Sequence, residues 1–297
     1  MNNIYHQFTI KDLENLSGIK AHTIRIWEKR YNILNPERTD SNVRMYDTSN
    51  LKKLLNVTYL YNGGHKISKI AQLSEADLNQ TVIDQVSKRG DHVSYMDSLV
   101  LSMLNFDQSH FEQTFNRLIS EFSFRHVFLK VFIPLLHRIG IYWQSDNIMP
   151  VHEHFISSLI KQKVQISIER AQQTIPKVDG MVYVMFLPEN EIHELSLMYL
   201  QYELMLRGHQ AIYLGKSVPM SNLKALQAVY KQITFVSYFT IKPASEEVEI
   251  YLQQFSRILL KDRNDLLWVG GRNVQNHSKT FPDVKLFSDL NEMINKM

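Results

Sequence analysis

The chain of 297 residues carries 33 Lys+Arg against 30 Asp+Glu, with 44% hydrophobic and 21% charged residues. That composition excludes a disordered, collagen-like or coiled-coil chain. The lack of cysteine excludes disulfides, thiolate metal sites and cysteine nucleophiles. No apolar run reaches the ~18 residues of a membrane span, and residues 1–11 lack the apolar core of a signal peptide. A cytoplasmic chain of two or three domains, without membrane contact, is expected.

The net charge of +3 is uneven: residues 1–75 hold 11 Lys+Arg against 7 Asp+Glu, the remainder 22 against 23. The surplus points to an anionic partner for the first quarter. There, Thr9 is a good N-cap for a helix that Gly18 ends. A second helix is predicted over Ala21 to Tyr31, with Ile24 and Trp27 on its apolar face. A polar stretch with Pro36 follows, then a helix over Ser49 to Tyr61 stopped by Asn62-Gly63-Gly64, and a fourth helix near Lys66. This is the outline of a winged helix-turn-helix. Arg25 and Lys29, four apart, share a helix face suited to the major groove. With His22 and Arg30 beside them and Arg38 and Arg44 in the loop, they are the candidate DNA contacts.

Residues 76–175 read as a helical bundle. Val127, Phe128, Val131, Phe132, Leu135, Leu136 and Ile139 form a broad buried stripe, with Pro134 expected to kink it. Only Gln144 to Pro150 separate that helix from the next, which predicts an antiparallel hairpin. From residue 180 to 297, apolar strands alternate with helices, beginning with strand Met181 to Leu187 and a helix from His193 to Arg207. Five βα units predict a doubly wound, Rossmann-like (flavodoxin-like) sheet.

Such sheets bind ligands beyond the carboxyl ends of their strands. The loop after the first strand, Pro188-Glu189-Asn190-Glu191-Ile192-His193-Glu194, has no glycine and three acids, so it cannot cradle a dinucleotide phosphate. An imidazole beside carboxylates suits metal ligation better. Glu191 can accept the second ring N–H of His193 and fix its tautomer. A histidine at a helix start is also compatible with a purely structural role.

Larger patterns add to these residues. Thr23-Ile24-Arg25-Ile26-Trp27-Glu28-Lys29-Arg30-Tyr31, Pro36, Arg38-Thr39 and Arg44-Met45-Tyr46 resemble the MerR family of transcription regulators. The resemblance implies a dimeric winged helix that binds double-stranded operator DNA, with Thr23 and Tyr46 joining the contacts. Glu191-x-His193, Ser237 after 43 intervening residues, and Gly270-Gly271 resemble the cobalamin-binding motif Glu/Asp-x-His-x-x-Gly, Ser-x-Leu, Gly-Gly. This implies that His193 ligates cobalt from below, and that Ser237, Gly270 and Gly271 line a slot for the displaced nucleotide tail. Two positions depart from the motif: Ser196 replaces its first glycine and Phe239 its leucine. Trp143, nine residues, then Glu153-His154 resembles the helical cap of CarH-like photoreceptors, MerR regulators that sense adenosylcobalamin. In those proteins an indole can cover the adenosyl group while Glu and His bond its polar edges. Gln144 stands where the photoreceptors carry a second histidine. The combined expectation is a regulator with a head at 1–75, a helical cap at 76–175 and a cobalamin domain at 180–297. Adenosylcobalamin and light would control its self-association and DNA binding. A MerR regulator whose α/β domain works without cofactor, and a cobalamin-dependent methyltransferase module, are the alternatives.

Overall fold

A computed structural model of the chain describes residues 7–39, 42–78, 80–82, 92–144, 148–176, 180–275 and 281–297. They divide into two compact units, Met1–Ile160 and Lys161–Met297. The division falls inside the helix Pro150–Thr174 rather than in the link expected at 175–180. The second half of that helix is tied to the α/β unit by Lys161, whose ammonium donates to Glu194 at 2.6 Å.

The first unit opens with α1 (Ile10–Ser17) and α2 (Ala21–Tyr31). Thr9 and Asp12 form a capping box, in which Asp12 N–H donates to the Thr9 hydroxyl at 3.3 Å and Thr9 N–H to the Asp12 carboxylate at 2.6 Å. Gly18 stops α1 with φ of 75°, a conformation that costs glycine nothing. Lys20 offers α2 no side-chain cap. Glu14 of α1 supplies it, accepting from Ala21 N–H at 3.1 Å. A two-stranded antiparallel wing, β1 (Glu37–Arg38) and β2 (Arg44–Met45), leads to α3 (Thr48–Asn62) and α4 (Ile67–Ile70). Leu13, Leu16, Ile24, Trp27, Leu51 and Leu54 form the core of this head.

Helices α5 (His92–Leu104), α6 (Gln108–Glu121), α7 (Phe124–Val127), α8 (Ile133–Gln144) and α9 (Pro150–Thr174) follow. The disturbance expected at Pro134 takes the form of a π-turn, Phe128–Phe132, between α7 and α8. Pro134 has no N–H to give to the carbonyl four residues back, and that carbonyl belongs to Lys130, inside the widened turn. Phe111, Phe128, Phe132 and Leu135 are buried around it. Arg138, on α8, joins this bundle to the head. Its guanidinium bonds Asp97 at 2.5 Å and the Leu16 carbonyl at 3.1 Å, and the Tyr142 hydroxyl donates to the same carbonyl at 3.1 Å. Leu16 lies in the last turn of α1, where carbonyls lack intrahelical partners.

The second unit is a five-stranded parallel sheet of β3 (Val182–Phe186), β4 (Gln210–Gly215), β5 (Ile233–Tyr238), β6 (Leu266–Gly270) and β7 (Val284–Leu286), in the order β4-β3-β5-β6-β7. That is the flavodoxin-like order, with its switch point between β3 and β5. β3 is buried throughout, as its unbroken apolar run requires. On one face Phe186, Phe235 and Phe239 pack against Val248, Leu252 and Phe255 of α12 (Val248–Phe255). α10 (Leu195–Leu206) lies against β3, β4 and β5 and meets the terminal helix α13 (Leu290–Lys296). Between β4 and β5 the helical segment is short, a 3-10 turn, Met220–Leu223, and one α-turn, α11 (Lys224–Gln227). Pro219 precedes that 3-10 turn and Gln227 ends the α-turn with its amide bonded to the Leu259 carbonyl at 2.7 Å.

Candidate functional site

On the head, the apolar side of α2 is sunk into the core through Ile24 and Trp27, which leaves His22, Arg25, Lys29 and Arg30 exposed along the other side. Thr23 is partly exposed beside them. The helix macrodipole favours Lys29 and Arg30 in its last turn. Arg38 projects from the wing, its guanidinium on the Asn42 side-chain oxygen at 2.6 Å.

Glu28, which sequence reasoning passed over, organises the wing. Its two oxygens accept separately, one from Arg44 Nε at 2.9 Å and one from the Tyr46 hydroxyl at 2.9 Å. Tyr46, expected among the DNA contacts, has no exposed surface. A buried ring whose hydroxyl is committed to Glu28 braces the wing against α2 and cannot reach DNA. Arg44 keeps a third of its side chain exposed while fixed by the same carboxylate.

In the α/β unit the structure brings Glu191 and His193 together at the carboxyl end of β3, beside the switch point. His193 lies in the loop, not in a helix as predicted, because α10 begins only at Leu195. The cause is Glu191, whose Oε1 accepts the N–H groups of Ile192 at 2.8 Å and His193 at 3.0 Å and holds that stretch out of helical form. The same oxygen lies 2.6 Å from His193 Nδ1. Its Oε2 accepts three successive N–H groups, from Thr240, Ile241 and Lys242, at 3.0, 2.7 and 2.8 Å. One carboxylate therefore ties the loop after β3 to the loop after β5. Burial pushes its pKa up, but the His193 ring and the N–H groups of Lys242, Ile241 and His193 outweigh that and hold it down at about 2. An ionised carboxylate only accepts, so Nδ1 carries the hydrogen, and in the neutral ring Nε2 presents a lone pair. Glu191 is fully buried, while 44% of the His193 side chain faces solvent. An oriented, outward-facing imidazole of this kind would suit a ligand to the cobalt of a corrinoid.

The slot residues behave differently. Ser237, expected to line an open slot, is fully buried, and its hydroxyl donates to the Phe186 carbonyl at 2.8 Å. Gly270 and Gly271 are buried as well. A Cβ on Gly270 would lie 2.4 Å from Met293 Sδ and 3.0 Å from the Tyr238 ring, and one on Gly271 would lie 2.3 Å from the Phe239 carbonyl oxygen. The glycines thus make room for this chain's own side chains and backbone. The residues present fit the cobalt of a corrinoid but, as arranged, not its nucleotide tail. Neither Tyr238 nor Met293 was recognisable from the sequence, since they meet only in the fold.

In the helical segment, Glu153 and His154 adjoin in the first turn of α9, with His154 Nδ1 2.9 Å from the Glu153 carboxylate. Both are solvent-accessible, at 40% and 74% of their side chains. Trp143 and Gln144 close α8, but their side chains lie outside the described residues. His152 is buried and stacked on Phe106 at 4.8 Å, so it diverges from His154.

Two stretches of the chain match known families. Residues 8–77 match the MerR HTH family regulatory protein profile, and residues 95–167 match a B12 binding domain profile. The chain is 27% identical over 271 residues to the HTH-type transcriptional repressor CarH of Myxococcus xanthus, covering 88% of both chains. It is 29% identical over 66 residues to the HTH-type transcriptional regulator MlrA of Escherichia coli, covering 22% of this chain and 27% of MlrA. Among solved structures, the monomethylamine corrinoid protein of Methanosarcina barkeri superimposes with a TM-score of 0.53 at 13% identity, over 69% of this chain and 98% of that one. That last likeness is one of fold. Among the described residues no helix is long and apolar enough to cross a membrane.

Proposed function

We propose that this chain, a CarH-like regulator joining a MerR-type head to a B12-binding domain, has its grip on DNA set by adenosylcobalamin and by light. It is a cobalamin-regulated transcriptional repressor and not an enzyme. The observation that carries the cofactor reading is His193, whose Nδ1 is fixed at 2.6 Å by the buried Glu191 while its ring faces outward.

The roles we assign follow from the chemistry of each group. Arg25 reads a base edge from the exposed side of α2, and Arg38 and Arg44 take flanking phosphates, with His22, Thr23, Lys29 and Arg30 along the same helix. Glu28 and Tyr46 position the wing. His193 holds cobalt, and Glu191 orients His193. Trp143, Glu153 and His154 serve the adenosyl group. A bound adenosylcorrinoid supplies a light-labile cobalt–carbon bond. Self-association of the chain, as dimer or tetramer, belongs to the same proposal, since a two-fold operator is read by paired heads.

The test is His193→Ala in the full chain. Titration with adenosylcobalamin, followed by absorption in the dark, is expected to show at least a tenfold loss of affinity and loss of the spectral change seen with the parent. Equal affinity and equal spectra would remove His193 from the cobalt.

A further inference from the structure

Helix α2 buries Ile24 and Trp27 in the core of the head and turns His22, Arg25, Lys29 and Arg30 outward. A second isoleucine, Ile26, lies on the outward side and is 37% exposed. At ~100° per residue it stands roughly 130° round the helix from the midpoint of Ile24 and Trp27, as far on one side as Arg25 is on the other. In angular order the outward side therefore reads Arg25, Lys29, His22, Ile26, Arg30. Ile26 shares a ridge with His22 one turn before it and Arg30 one turn after it. It has no place in the core, since Ile24 and Trp27 take the buried side of α2. Nor does it serve the helix, because at an exposed position a β-branched residue is a poorer helix former than Lys, Arg or Glu. An apolar side chain set among cations is thus left for whatever the cations meet.

We propose that Ile26 is a specificity residue of the DNA-binding head, packing on the C5-methyl group of a thymine close to the base that Arg25 reads. The inference rests on the reading of α2 as the helix that enters the major groove. Its logic is complementarity. The cations around Ile26 match phosphates and the acceptor edges of purines. Of the groups that base pairs present in the major groove, the thymine methyl is the apolar one. An isoleucine brought into that groove either packs on a thymine methyl or faces polar base edges, whose water it displaces without offering a hydrogen bond in return. The base pairs are thereby ranked at a position where no hydrogen bond is made. Burial of one methyl is worth about fourfold in affinity. Arg25 reads by hydrogen bonds and Ile26 by apolar contact, so neighbouring residues of α2 sense different features of the same stretch of groove.

The experiment uses deoxyuridine, which differs from thymidine only in lacking that methyl. A duplex is selected on the full chain from a random library amplified in vitro, which holds no methylated cytosine, so a methyl effect in it belongs to thymine. Each thymine is replaced in turn by deoxyuridine, and affinity is read by fluorescence anisotropy for the parent, Ile26→Val and Ile26→Ala. The parent is expected to lose about fourfold at one thymine of a half-site. Ile26→Val should keep part of that loss. Ile26→Ala should bind the thymine and deoxyuridine duplexes equally while retaining the preference at the base read by Arg25. Alanine at an exposed helical position favours the helix, and the parent's own thymine-to-deoxyuridine ratios decide the point without any variant. A parent indifferent to every replacement would overturn the proposal. So would an Ile26→Ala chain that keeps the parent's ratio, because the methyl would then be read by another residue. A library that yields no preferred sequence would overturn the reading of α2 itself, an outcome distinct from a preferred site indifferent to its thymine methyls.

Discussion

Glu28 and Glu191 do the same physical work in different units. Each is a carboxylate whose two oxygens accept separately, and each thereby fixes a loop against the element that carries function. Glu28 takes Arg44 and Tyr46 of the wing. Glu191 takes His193 from one loop and Thr240 to Lys242 from another. Hydrogen bonds to an ionised group contribute about 1.5–3 kcal/mol each, more than neutral ones, and several converge here on one side chain. The exposed residues are then free to face a partner. On α2 this separates roles that charge alone could not. Arg25→Ala should relax preference at a single base position by about 1–3 kcal/mol. Arg38→Ala should weaken every sequence alike and lower the salt slope by about one unit. Binding over a duplex library at two salt concentrations measures both, and uniform loss in both variants would contradict the assignment. Tyr46 shows where reading residues in sequence stops. The family resemblance placed it among the DNA contacts, but whether it faces solvent depends on how the wing folds onto α2, and no local pattern encodes that.

At the scale of elements, local chemistry was legible and long-range pairing was not. Thr9 with Asp12 and Gly18 fix α1 through bonds within a few residues, so the predicted ends match the observed ones. α2 was predicted over its observed span, Ala21–Tyr31, for the same reason, even though its cap comes from Glu14 on the preceding helix. The start of α10 was misplaced by two residues because Glu191 intercepts the N–H groups that would have begun it. The packing at Gly270 was invisible because Tyr238 and Met293 lie far apart in sequence and converge only through the sheet and α13. Helix α8 carries a contact of the same kind. Arg138 and Tyr142 bond the Leu16 carbonyl of α1, six and two residues before α8 ends at Gln144. The helix assigned to the cofactor is thus fastened to the DNA-binding head. Arg138→Met removes the bond to Leu16 and leaves Asp97 without its guanidinium, which should cost about 1.5–3 kcal/mol. Denaturant unfolding followed by tryptophan fluorescence checks this, and an unchanged midpoint would show that the contact contributes nothing to the unit.

At the scale of the whole molecule, the chain pairs a DNA-reading surface in one unit with an oriented imidazole in the other. Residue types and spacing singled out both candidate sites: cations at i, i+4 on an amphipathic helix, and a histidine two residues after a glutamate at the end of a buried strand. The boundary between units was not legible, because α9 is continuous in sequence and its second half joins the α/β unit through contacts, such as Lys161 bonded to Glu194, that form only in the fold. The central claim is that corrinoid state governs DNA affinity. Its direct test takes a fluorescent duplex selected on the full chain from a random library and measures anisotropy against protein concentration, without cofactor, with adenosylcobalamin in the dark, and with adenosylcobalamin after illumination. Binding at least tenfold tighter in the dark with cofactor, returning to the cofactor-free curve after light, is the predicted result. Three superimposable curves would contradict the account.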